Sequence, residues 1–142
     1  MITTSRHHIY LYKNRLYVPR LARTDAGFYL EQEPVSSVEP APAELRVLLE
    51  SRIREGNPVT AAPMRKEYPS LPRVVRAAGA RTARAFEREA RLWAVELTSN
   101  RMKLEALERH PDGGWVQPQR AQEFPSTSEG MDALVSTILK DA

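Results

Sequence analysis

The stretch Ile9-Tyr10-Leu11-Tyr12-Lys13-Asn14-Arg15-Leu16-Tyr17-Val18 decides the fold. Two runs of branched and aromatic residues, each suited to a pleated, half-buried surface, flank Lys13-Asn14-Arg15, a polar turn. The reading is a β-hairpin, with Pro19 expected to close its second strand because proline cannot donate to a ladder. Further along, Thr24-Asp25-Ala26-Gly27 has turn chemistry: aspartate favours the first position and glycine tolerates positive φ. A third strand is expected from Phe28 to Glu33, with Pro34 ending it or confining it to an edge. On the N-terminal side, His7 and His8 read as a polar chain start. Adjacent strand residues point to opposite faces, which makes the pair a poor chelate.

The first helix opens at Pro40-Ala41-Pro42. Leu45, Leu48, Leu49 and Ile53 share one face, while Arg46, Glu50 and Arg54 are spaced for salt links along the other. Gly56 and Pro58 stop it. The proline-rich segment from Asn57 to Leu71 reads as an extended, ordered loop. Val74-Val75 leads to Gly79, and a second helix runs from about Thr82, its N-cap, to Ala90. A strand follows from Leu92 to Thr98, and a turn at Ser99-Asn100. Residues 101–106 alternate, with Met102, Leu104 and Ala106 on one face; a helix is the alternative, since Leu104 and Leu107 are three apart, but the flanking turns favour a strand. After the turn Pro111-Asp112-Gly113-Gly114, Trp115-Val116-Gln117 is the last expected strand. Ser126 and Glu129 have capping-box spacing, and Met131, Leu134, Val135, Ile138 and Leu139 give the final helix a wide apolar face.

These readings add up to one α+β domain: an antiparallel sheet of about five or six strands with helices centred on Leu48, Phe86 and Val135, mainly on one face. The expected core is Tyr10, Tyr12, Leu48, Leu49, Ile53, Phe86, Trp93, Val95, Leu134, Val135 and Ile138. A chain of 142 residues fits a single domain. It has no cysteine, which removes disulfides, thiolate catalysis and sulfur-bound zinc. The N-terminus lacks the apolar core of a secretion signal, and no apolar run approaches a bilayer span. The expected location is the cytoplasm of a bacterium, with no membrane partner and no cofactor.

The net charge is +3, but it is uneven: residues 65–91 hold eight Lys/Arg against three Glu. Arg81, Arg84, Arg88 and Arg91 fall within an arc of about 80° if one helix carries them all. Such a row can clamp carboxylates or phosphates, and a solvated helix face would show the same spacing. Glu31 and Glu33 share a strand face. Two close carboxylates can serve acid–base work, yet a solvated edge or a patch for a basic partner fits them better. His110 has no ligand at metal spacing. There is no G-x-S-x-G, P-loop or G-x-G-x-x-G, and the six glycines read as turn residues. The expectation is a binding protein rather than an enzyme. Tyr10, Tyr12, Tyr17, Phe28 and Tyr29 crowd the N-terminal sheet, where packing accounts for most of them.

The runs IYLYKNRLYVP at 9–19, ARTDAGFYLEQEPV at 22–35, GNPV at 56–59 and ARAFEREARLW at 83–93 resemble small immunity proteins of bacterial contact-dependent growth inhibition systems. The order of elements is similar as well. The resemblance implies a cytoplasmic protein that binds one cognate toxin domain, often a nuclease, and blocks its active site or substrate surface. Such partners are often acidic, whereas this chain has a pI near 9.4. A less basic toxin, or an acidic patch at Glu31 and Glu33, would accommodate the difference. The alternative is a nucleic-acid-binding module using Arg73 to Arg91, with affinity that falls steeply as salt rises.

Overall fold

The computed structural model describes residues 4–64, 71–116 and 121–142. The expected basic residues Arg65 and Lys66 and the strand residue Gln117 lie outside them. The hairpin forms as its sequence dictates: β1 (Ser5–Tyr12) and β2 (Arg15–Thr24) pair antiparallel with Tyr12 opposite Arg15. The two turn residues, Lys13 and Asn14, have φ of 49° and 60°. Both are left-handed, the geometry whose twist matches the flanking strands.

Pro19 does not end β2. It ends the β1–β2 ladder, which stops at Tyr10–Tyr17. The alternation of an antiparallel pair makes residues 8 and 19 the next hydrogen-bonded couple, and Pro19 has no N–H to complete it. Beyond that point the side chain of Asn57 fills the gap. Its Oδ1 accepts from Arg6 N at 2.8 Å, and its Nδ2 donates to the carbonyls of Arg6 and Leu21, each at 2.8 Å. The chain then continues as β4 (Val59–Thr60), parallel to Arg23 and Thr24 of β2. This part of the proline-rich loop is therefore sheet.

On the other side of β2 lies β3 (Tyr29–Val38), an edge strand as its proline requires. Pro19 pairs with Val35 but Arg20 with Gln32, so Glu33 and Pro34 form a bulge. That bulge turns carbonyls inward, and the first helix supplies their donor. In α1 (Pro42–Glu55) Arg52 is buried. Its Nη2 donates to Pro34 O at 3.1 Å and Ser36 Oγ at 2.7 Å, and both Nε and Nη2 reach Val18 O at 3.3 Å. Leu45, Leu49 and Arg52 are the buried face, while Leu48 and Ile53 are half-buried, peripheral to the core expected of them.

The C-terminal half adds β5 (Arg91–Leu97), β6 (Arg101–Arg109), β7 (Trp115–Val116) and β8 (Gln122–Pro125). The sheet runs β3-β2-β1-β5-β6-β7, with β4 beside β2 and β8 beside β6, eight strands among the described residues. It is larger than expected because β4 and β8 are too short to show an alternating pattern. The fold is α+β with an essentially antiparallel sheet. The last helix, α4 (Ser128–Asp141), is capped by Thr127, whose side chain accepts from Gly130 N at 3.0 Å, and not by Ser126. Gly130 is no turn residue. It lies in the first helical turn, where a Cβ would come within 1.9 Å of Pro125 O.

The helices cover both faces of the sheet, not mainly one. Ile9, Leu16, Val18, Trp93, Val95, Met102 and Leu104 pack under α1 and α4. Tyr10, Tyr12 and Leu92 face the other way. They pack against α2 (Arg73–Ala77) and α3 (Ala83–Glu89) through Val74, Val75 and Phe86. The run Ile9-Tyr10-Leu11-Tyr12 is apolar at every position, so both of its faces need cover. Among the described residues no helix is long and apolar enough to cross a membrane.

Candidate partner-binding surface

The second face carries the residues that the sequence singles out. Phe86 anchors α3: its ring lies 5.6 Å from that of Tyr10 and 4.8 Å from that of Tyr12. Thr82 caps the helix, accepting from Ala85 N at 3.0 Å. Ala90 is already extended, at φ −81° and ψ 157°, and Arg91 begins β5.

The four-arginine stripe is therefore not one helix face. Arg81 precedes the cap. Arg91 points to the opposite side of the sheet, where it pairs with Asp141 Oδ2 at 2.7 Å and lies over the Trp93 ring. Only Arg84 and Arg88 share the helix, exposed and one turn apart. Neither makes a hydrogen bond or ion pair among the described residues.

Tertiary structure gives these two arginines neighbours from β6 and the turn after it. Arg84, Glu87, Arg88, Arg109, His110, Pro111 and Gly113 line a recess of about 300 Å³. Arg109 Nη1 donates to Glu87 O at 2.6 Å, which fixes the guanidinium at the wall. Glu87 Oε2 accepts from Gly114 N at 3.2 Å. His110 Nδ1 accepts from Asp112 N at 3.0 Å, so the ring nitrogen that faces the turn is occupied. Nothing local in the sequence marks Arg109 or His110: they meet α3 only through the strand order and the register of β6.

Glu31 and Glu33 prove unlike each other. The Glu31 carboxylate is taken up within the fold, accepting from Tyr10 OH at 2.5 Å and from His8 Nδ1 at 2.8 Å. His8 Nε2 accepts from Arg6 Nε at 3.3 Å. That assignment leaves the ring proton on Nδ1 and both nitrogens engaged. Burial holds the Tyr10 hydroxyl pKa well above its ordinary value, and the Glu31 charge adds to it, so the phenol remains a donor. Arg73 Nη1 donates to Glu31 O at 3.0 Å, pinning α2 to the edge strand. Glu33 is exposed and lines a recess of about 310 Å³ with Pro34, Val35, Arg73, Arg76 and Ala77. The two glutamates thus do not present a joint acidic patch.

His7 is buried on the α1–α4 face rather than forming a polar start. Burial lowers its pKa to about 4, helped by the neighbouring His8 and by the Arg52 charge. Among the described residues no group of three His, Asp or Glu is placed to hold a metal.

Together these features describe an α+β protein whose arginine-lined face is built across two elements. No family model and no curated protein matches the sequence. Among solved structures, a protein of unknown function from Neisseria meningitidis is similar, with a TM-score of 0.71. The match covers 99% of this chain and 96% of that one at 9% sequence identity. That likeness concerns the fold alone.

Proposed function

We propose that this protein binds and neutralises a cognate toxin domain, as an immunity protein of a contact-dependent growth inhibition system, and acts in the cytoplasm. The observation that carries the reading is the pair of exposed arginines, Arg84 and Arg88, that have no partner among the described residues and lie beside a recess already walled by Arg109. Guanidinium groups that stabilise a fold find carbonyls or carboxylates within it, as Arg52, Arg73 and Arg91 do. Guanidiniums left exposed at a surface suit recognition of another molecule, because the planar fork grips anionic groups bidentately. The sequence resemblance agrees with this. The test is association with the polypeptide encoded immediately upstream, measured by calorimetry on purified components. Tight binding is expected, and no association at micromolar concentration refutes the reading.

Nucleic-acid binding through Arg73 to Arg91 is the second reading, favoured by the exposure of Arg76, Arg81, Arg84 and Arg88. It loses two of its six arginines to internal contacts, Arg73 on Glu31 O and Arg91 on Asp141. A shift of DNA or RNA at low salt that disappears as salt rises would support it.

A further inference from the structure

We infer that the recess between α3 and the β6–β7 turn is where an acidic surface of the partner protein docks, an inference that rests on the neutralisation reading above. Three arginines converge there from two separate elements: Arg84 and Arg88 from α3, and Arg109 from the end of β6. Residues four apart on a helix hold their Cβ atoms about 5–6 Å from each other, a spacing that two neighbouring carboxylates can match. Arg109 uses Nη1 on Glu87 O, which orients the group and leaves the rest of its fork for an incoming acceptor. The one carboxylate in the lining, Glu87, is held by Gly114 N. The recess is therefore a cationic surface with one guanidinium, that of Arg109, held in place, and the side chain that would oppose an anion is restrained by the turn.

The surroundings decide between a protein and a nucleic acid. The segments that build the recess also carry exposed Glu89 and Asp112, each next in sequence to a lining residue. A phosphate backbone has uniform, closely spaced negative charge and needs a continuous basic track. These carboxylates interrupt such a track. A protein surface sorts its charges individually and can place carboxylates against the arginines and cations against the glutamates. Glu31, the acidic feature expected to meet a basic partner, is engaged by Tyr10 and His8 and does not compete for this role.

The experiment measures affinity of the purified upstream-encoded domain for the full chain and three variants. These are Arg84→Glu/Arg88→Glu, the milder Arg84→Gln/Arg88→Gln, and Arg54→Glu as a control. Arg54 is exposed on α1, on the opposite sheet face. Because Arg84 and Arg88 have no partner among the described residues, thermal unfolding of the variants should match the wild type. The expected result is a loss of at least about 100-fold for the double charge reversal and a smaller loss for the glutamine pair. Arg54→Glu should leave affinity unchanged. Wild-type binding that survives the double reversal within about threefold overturns this inference while leaving the neutralisation reading intact. No binding by the wild type defeats both. A single-stranded DNA oligonucleotide is the remaining probe: binding at physiological salt that the double reversal abolishes would assign the recess to nucleic acid and overturn the inference.

Discussion

Arg52→Met should destabilise the protein by about 3 kcal/mol, although Arg52 touches no surface proposed for binding. The wild-type guanidinium is 4% exposed and supplies donors to Val18 O, Pro34 O and Ser36 Oγ where the Glu33–Pro34 bulge interrupts the β2–β3 ladder. Methionine preserves much of the apolar stem and removes every donor. A buried acceptor left without a partner costs about 1–3 kcal/mol. Val18 is fully buried, so its carbonyl carries most of that cost. Pro34 is exposed and Ser36 half-buried, so water can replace part of what they lose. The sum comes to about 3 kcal/mol, which for a domain of this size corresponds to a fall of roughly 10 °C in Tm. Arg52→Lys should recover little, because a single ammonium cannot span acceptors on two strands. The assay is urea denaturation, together with hydrogen exchange at Val35 and Ser37. A Met variant within about 1 kcal/mol of wild type, or full rescue by Lys, refutes the view that this fork holds the bulge together.

Three further outcomes follow from single sites. Because burial lowers the folded-state His7 pKa from 6.5 to about 4, the unfolded chain binds the proton first. Stability should fall as pH drops through that window by up to about 3 kcal/mol, and His7→Leu should flatten the difference measured by urea titration at each pH. A pH profile unchanged by His7→Leu would contradict this. Gly130→Ala improves helix propensity by about 1 kcal/mol, yet its Cβ would meet the backbone carbonyl of Pro125. We expect net destabilisation of about 3 kcal/mol, and a stabilised variant would show that α4 can shift off β8 without cost. Asn57→Ala removes the bridge between Arg6 and Leu21 and should cost about 2 kcal/mol. The Arg6 amide should exchange faster in native-state hydrogen exchange. Asn57→Asp should be worse, since a carboxylate then faces two carbonyls.

Local chemistry was readable wherever one segment settles its own conformation. The α1 start at Pro42, the Gly56 stop and the Thr82 cap all appear in the sequence as they do in the fold, and so does the Lys13-Asn14-Arg15 turn except that Arg15 already pairs with Tyr12 in β2. So do the alternating strand Met102–Ala106 and the apolar stripe of α4. Errors arose where two elements compete for the same residues. The 3-4-3 spacing of arginines suggested one helix face because periodicity carries no mark of where a helix ends. Burial of Ala90 and Leu92 against the sheet ended α3 after two turns and sent Arg91 to the far side.

By itself the sequence determined the α+β class, most strand and helix positions and part of the core, because propensity, turn chemistry and alternation act within a few residues. Only the tertiary structure decided that helices cover both faces, that Glu31 belongs to an internal hydrogen-bond network, and that Arg109 and His110 stand beside Arg84 and Arg88. Those outcomes depend on strand order and register, through which side chains more than twenty residues apart come to share one surface.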